Sequence, residues 1–195
     1  MMEEFIFYVK MGLTHVLDLS AYDHILFLAA LAIPFTFKSW KKVVLLATIF
    51  TVAHCTSLYL SVFGILAMDT AIIEFLIPVT ILCTALFNLV YVKSASANKS
   101  LGLHILATAF FGLIHGFGFS NYFNMLMAEE DDKLTPLLGF ATGIELAQIC
   151  IVLVALAITY SVLSIFKVKS KLYITIASLL IIIITIPMLI DTFPQ

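Results

Sequence analysis

Long apolar runs, separated by short charged or turn-forming stretches, make up most of this chain. A helix needs about 20 apolar residues to cross a hydrocarbon core of about 30 Å. The pattern predicts six transmembrane helices, near residues 20–37, 42–66, 71–92, 101–127, 136–166 and 172–190. We therefore expect an all-α fold, a polytopic membrane helix bundle.

A shorter apolar segment, residues 4–17, precedes these runs and is too short to span a bilayer. A helix here would leave Lys10 and Thr14 off its apolar face. That face would carry Phe5, Tyr8, Val9, Gly12, Leu13 and Val16. The pattern is typical of a short amphipathic helix that lies at the membrane interface.

Composition agrees with a membrane protein and excludes an ordinary soluble domain. The 195 residues are 63% hydrophobic and only 11% charged, with a mean hydropathy of +1.15. The three cysteines show no CxxC spacing, so neither a disulfide framework nor a zinc ribbon is indicated. With no internal repeat and no nucleic-acid signature, we expect one membrane domain over residues 1–195, with the lipid bilayer as a partner.

The lysines predict the orientation of the bundle. Most of them lie in three connections, and by the positive-inside rule these loops are cytoplasmic: Lys38, Lys41 and Lys42, then Lys93 and Lys99, then Lys167, Lys169 and Lys171. Both termini and the acidic run 129–132 are then extracytoplasmic. The expected location is the inner (plasma) membrane of a bacterium, with several passes.

Ionisable residues collect in the outer half of the predicted bundle. With a rise of about 1.5 Å per residue, five runs each bring at least one to that half. They are Asp23 and His24, then His54 one turn before Ser57, then Glu74, His115 and Glu145. An unpaired ionisable group inside a span costs at least about 2–3 kcal/mol, so these groups should face the interior and pair, titrate or bind a ligand.

Imidazole and carboxylate together suit nickel, cobalt, zinc and iron, so the polar groups that share a depth are candidate ligands for a divalent transition metal ion. Neither HExxH nor HxxxH occurs, and the convergence in depth carries the hypothesis. Structural roles stay open for several residues. Glu74 and Asp18 also fit helix caps, and His104 also fits a hydrogen bond between helices.

Glycines mark the same neighbourhood. GLIHG places Gly112 and Gly116 four apart around His115, and GFATG places Gly139 and Gly143 four apart before Glu145. Small-xxx-small pairs let two backbones approach closely, which predicts that the fourth and fifth spans form a tight pair. Gln148, one turn after Glu145, is expected to hold that carboxylate in place.

The stretch HVLDLSAYDH resembles the HxxxxxGxDH signature of the HupE/UreJ family of bacterial membrane proteins, with Ala21 in the glycine position. FTVAHCTSL, IIEFLIP, FGLIHGFGFS and GFATGIELAQ agree with the same family, so the similarity covers about residues 10–150. Members of this family are regarded as nickel or cobalt permeases. The resemblance implicates His15, Asp23, His24, His54, Glu74, His115 and Glu145.

Three functions follow from this pattern. The first is a membrane permease for a divalent transition metal ion, nickel or cobalt, with Zn as a third candidate ion. The second is an intramembrane zinc-dependent hydrolase acting on a lipid or lipoprotein at the outer leaflet, with a carboxylate as general base. The third is a metal or haem chaperone, or a subunit that docks a partner. Association into a homo-oligomer stays open.

Overall fold

The computed structural model describes residues 2–93, 101–128 and 132–194, and within these ranges it is all helical. The α-helices, in chain order, are α1 Met2–Leu17, α2 Asp23–Ala32, α3 Trp40–Val62, α4 Thr70–Lys93, α5 Leu101–Leu126, α6 Leu134–Tyr160 and α7 Ser170–Asp191. The predicted all-α class is confirmed.

Five helical segments are long and apolar enough to cross a membrane. They are Phe37–Val62, Thr70–Val90, Leu101–Leu126, Leu134–Ile165 and Ser170–Asp191. The first begins with a 3-10 turn at Phe37–Ser39, and the fourth ends with a π-helical turn at Ser161–Ile165. These segments correspond to the last five predicted runs.

The first predicted run, 20–37, does not form one long helix. Its helix α2 has ten residues, which at about 1.5 Å each extends roughly 15 Å, half of a hydrocarbon core. Pro34 accounts for the early end, because its ring lacks an N–H and crowds the preceding turn. The count of six spanning helices is therefore not confirmed.

Helix α2 is the central element of the bundle. It contacts α1, α3, α4, α6 and α7, and Phe27, Leu28 and Ala30 on its successive faces are fully buried. A helix that is apolar all round needs such an enclosed position. From α4, Asn88 donates a hydrogen bond to the carbonyl of Ala30 at 2.8 Å. The surrounding helices thus fix the place of the first turn of α2, which carries His24.

The N-terminal segment forms a helix, α1, in which Tyr8, Gly12 and Val16 are buried. This face packs along α6. A Cβ at Gly12 would lie against the Phe140 carbonyl and 2.9 Å from the Ile144 nitrogen. The location of α1 at a membrane interface stays a prediction.

The predicted tight pair of the fourth and fifth spans is wrong. Gly112 and Gly116 of α5 lie against the α3 backbone, while Gly139 and Gly143 of α6 lie against α1. A small-xxx-small stripe indicates that some backbone comes close but does not specify which one. The two stripes instead fix α3 and α1, the helices that carry two of the histidines.

Candidate metal centre

Three histidines from three different helices converge inside the bundle: His15 of α1, His24 of α2 and His54 of α3. Each offers one ligand atom, and these atoms all lie within 4.8 Å of one another. The ring centroids are 4.7 Å apart for His15 and His24, and 5.6 Å apart for His24 and His54. We call these three residues the histidine cluster.

The chain brings His15 and His24 together by a sharp turn. His15 lies in the last turn of α1 and His24 in the first turn of α2. Between them, the exposed Asp18 accepts a hydrogen bond from the backbone N–H of Ser20 at 2.8 Å. Such a side-chain contact two residues ahead is the mark of an Asx-turn. Asp18 therefore shapes the turn and does not cap a long helix.

Asp23 fixes the orientation of its neighbour. Its Oδ1 atom lies 3.0 Å from Nδ1 of His24 and also accepts the backbone N–H of His24 at 2.8 Å. A carboxylate at Nδ1 favours the tautomer with a proton on that nitrogen, which leaves the Nε2 lone pair for a ligand. In this arrangement Asp23 acts on the cluster through His24.

A fourth imidazole, His115 of α5, lies beside the cluster. Its ring centroid is 5.3 Å from that of His24. Its Nδ1 lies 2.9 Å from the carbonyl oxygen of Phe111, which can only accept a hydrogen bond. His115 therefore also presents Nε2 as a lone-pair donor.

The free ring nitrogens point to a cation. In the part of the chain that the structure describes, Nε2 of His15, His24 and His115 and both nitrogens of His54 are buried without a hydrogen-bond partner. A buried polar atom without a partner costs about 1–3 kcal/mol, and such atoms are rare.

Two metal–nitrogen bonds of about 2.1 Å hold their nitrogens at most about 4.2 Å apart. The cluster could close on an ion with a shift of less than about 1 Å.

Aromatic rings enclose the histidines. Phe119 lies 4.0 Å from the ring of His15, and Phe50 lies 5.1 Å from the ring of His115, both measured between centroids. Phe119 stacks on Phe140 at 5.1 Å. An apolar shell of this kind limits solvent access and strengthens electrostatic interactions at a metal site.

Ser57 and Gly116 both lie against the backbone at His54. The hydroxyl of Ser57 donates to the His54 carbonyl at 2.8 Å. Gly116 of α5 lies directly against that carbonyl and the Ser57 hydroxyl, where a Cβ would collide with both. The close approach of α5 to α3 at this point depends on the missing side chain.

Glu145 lies apart from the histidine cluster. Its carboxylate accepts hydrogen bonds from Thr48 at 2.6 Å and from Thr51 at 2.5 Å, both on α3. The expected contact with Gln148 is absent, because the two threonines bond the carboxylate while the buried amide of Gln148 has no partner among the described residues. Only the TxxT spacing, just before His54, could have indicated the two threonines in the sequence.

Glu74 and His104 also lie outside the cluster. Glu74 is exposed on α4 and lines an open cavity of about 290 Å³ together with Asp23 and Asp191, a residue that the sequence did not single out. His104 is buried on α5, with ring centroids 5.8 Å from Phe35 and 5.7 Å from Phe87.

A second open cavity, of about 670 Å³, adjoins the other side of the cluster. It is lined by His15, Asp18, Phe119 and neighbouring residues at the end of α1. The cluster is thus flanked by one cavity beside His15 and another beside Asp23.

Comparison with known proteins gives one result. A family model described as "HupE / UreJ protein" matches residues 1–192, nearly the whole chain and all the histidines above. No curated protein and no solved structure matches the chain.

Proposed function

The chain belongs to the HupE/UreJ family, and we propose that it is a membrane permease for a divalent transition metal ion, with nickel or cobalt as substrate. The observation that carries the proposal is the convergence of three imidazoles whose buried Nε2 atoms have no hydrogen-bond partner among the described residues. Its expected location is the plasma membrane of a bacterium.

In this proposal, His15, His24 and His54 bind the ion through neutral imidazole nitrogens, and His115 offers a fourth. Imidazole is a ligand that suits nickel, cobalt and zinc. Asp23 supplies a negative charge next to the cluster and holds His24 in the binding tautomer through their 3.0 Å contact. The free-energy cost of removing water from the ion is then offset by ligands that are already in place.

In this proposal, movement of the ion begins at the junction of α1 and α2. The cluster lies where α1 ends and α2 begins, so its ligands belong to two separate helices and to α3. Transporters commonly place their sites where helix ends meet inside the bundle. A shift of α1 relative to α2 would separate His15 from His24 and loosen the ligand set.

The direct test is uptake of radioactive nickel or cobalt into proteoliposomes. Wild-type protein should accumulate the ion, and a His24→Ala variant should lose at least about 90% of the rate, since it lacks the best-oriented ligand. His104→Ala is the matched control, because it removes a buried histidine outside the cluster. Equal uptake by wild type and His24→Ala would contradict the proposal.

A zinc-dependent hydrolase is the second candidate, favoured by the three-histidine set and the 670 Å³ cavity beside His15. Three histidines with an open fourth position form the ligand set of a catalytic zinc site. A hydrolase would keep stoichiometric zinc through purification without chelators, whereas a permease should exchange its ion readily. Metal analysis of the purified protein therefore separates the two candidates.

A further inference from the structure

One carboxylate within α6 has no positive charge beside it. Glu145 is only partly exposed and interacts through Thr48 and Thr51, which are neutral. Across residues 2–93, 101–128 and 132–194, no lysine or histidine forms an ion pair with it. Ionisable groups inside a span are costly when unpaired and often mark ion sites.

Among the described residues, a polar side chain without a hydrogen-bond partner lies on the same helix. Gln148 is 0% exposed, and both its Nε2 and Oε1 atoms lack a hydrogen-bond partner in the described ranges. Residues three apart share a helix face, so Gln148 lies on the side of α6 that carries Glu145. Buried amides without partners are rare, which indicates a bound polar species at this position.

Each of the two threonine hydroxyls has a second acceptor within reach. Oγ1 of Thr48 lies 3.1 Å from the carbonyl of Val44, and Oγ1 of Thr51 lies 3.3 Å from the carbonyl of Ala47. Each hydroxyl has one proton and two lone pairs. If the proton turns to the carbonyl, the hydroxyl oxygen can share a cation with the carboxylate, and the two oxygens then separate beyond their present 2.5–2.6 Å.

We propose that Glu145, Thr48, Thr51 and Gln148 form a second cation site, separate from the histidine cluster, that binds Na⁺. All the ligand atoms would be oxygens, which suit hard cations and not the borderline ions that imidazoles bind. The site has one negative charge, so a monovalent ion leaves it neutral whereas a divalent ion leaves an unbalanced positive charge in a low dielectric.

This site is placed to couple sodium to metal transport. Thr51 and His54 are three residues apart on α3, so an ion that joins α3 to α6 at Thr51 also fixes the backbone next to His54. The coupling role rests on the proposed permease function. Sodium binding itself does not.

Thermal unfolding of the purified full-length protein tests the binding. Measured with a chelator present, in NaCl against choline chloride at equal ionic strength and pH, the wild-type melting temperature should rise with sodium concentration. Glu145→Gln should abolish this rise. Thr51→Val and Gln148→Leu should each weaken the apparent sodium affinity about tenfold, as the loss of one ligand predicts.

Thr56→Val is the matched control. Thr56 lies on the same helix, is exposed, and donates only to the carbonyl of Val52 at 2.7 Å, so its sodium response should equal that of wild type. If Glu145→Gln does not fold, Thr51→Val and Gln148→Leu carry the test. An equal rise of the melting temperature in choline chloride, or a rise in these variants as large as in wild type, would overturn the sodium site. So would a response to pH but not to sodium, because the occupant would then be a proton.

The sodium site and the permease can fail separately. His24→Ala should keep the sodium-dependent rise while it loses nickel uptake. A wild-type protein that shows the rise but transports no metal would support the sodium site and contradict the permease. Metal uptake by a wild-type protein whose melting temperature does not rise with sodium would support the permease and contradict the sodium site.

Discussion

Asp23 and His24 are neighbours in sequence whose side chains bond each other, with Oδ1 of Asp23 3.0 Å from Nδ1 of His24. The same oxygen accepts the backbone N–H of His24 at 2.8 Å. One carboxylate therefore fixes both the ring and the backbone of His24. The short side chain of aspartate reaches both donors at once.

Asp23→Asn should weaken nickel or cobalt binding by about 10- to 100-fold, the usual cost of losing a carboxylate that orients a ligand histidine. The amide keeps the shape but loses the charge that favours the proton on Nδ1. Titration calorimetry of purified protein measures the change. Asp69→Asn is the control, since the Asp69 side chain accepts the backbone N–H groups of Ala71 and Ile72 at the start of α4. Equal affinities for wild type and Asp23→Asn would show that Asp23 does not orient the ligand.

Gly116→Ala should reduce both metal uptake and stability. The new methyl would collide with the His54 carbonyl and the Ser57 hydroxyl, so α5 must move away from α3. Overpacking of this kind costs about 1–3 kcal/mol. The melting temperature and the uptake rate report the two effects.

Gly118→Ala provides the comparison on the same helix. Its Cβ would meet Cδ1 of Ile77 at 2.8 Å, the far end of a flexible side chain that can turn aside. We expect close to wild-type uptake. If Gly116→Ala behaves in the same way, the tight approach of α5 to α3 does not position His54.

Gly143→Ala should weaken metal binding from a distance, through α1. The added methyl would strike the backbone of Val9 and lie 2.8 Å from the nitrogen of Leu13, which separates α1 from α6 and withdraws His15. Metal affinity should then approach that of a His15→Ala variant, and the double variant should lose little more. Additive losses would mean that α1 keeps its place. Thr142→Ala, at an exposed neighbouring position, is the control.

Cysteine labelling in intact cells tests the orientation. After the native cysteines are replaced by serine, a membrane-impermeant maleimide should label Glu3→Cys and Asp191→Cys, because both termini are expected outside. Lys41→Cys should react only after the membrane is opened. Labelling of Lys41→Cys in intact cells would reverse the proposed topology.

The charged residues and their estimated depth in the predicted spans were enough to select His24, His54 and His115, which the structure brings close together. His15 came from the family resemblance, because hydropathy placed it on a separate interfacial helix. The position of Glu145 could not be predicted from charge. Its surroundings are set by hydroxyl groups of α3, and threonine hardly alters a hydropathy profile.

The run at 20–37 shows a different limit. Its hydropathy suffices for a span, but Pro34 ends α2 at half that length. The sequence also could not identify the helices that pack against the two glycine pairs, because a small-xxx-small pair does not specify the opposing helix. Both features depend on backbone geometry, and together they determine where the histidines meet.

The start of α2 at Asp23 also affects how long an ion stays bound. A helix N-terminus carries about half a unit of positive charge, and that of α2 lies at Asp23, beside His24. This charge reduces, but does not cancel, the attraction of the Asp23 carboxylate for a bound cation. The same imidazoles on continuous helices would retain an ion longer. A short dwell time limits affinity, and it suits the proposed permease, which must release each ion before it can take the next.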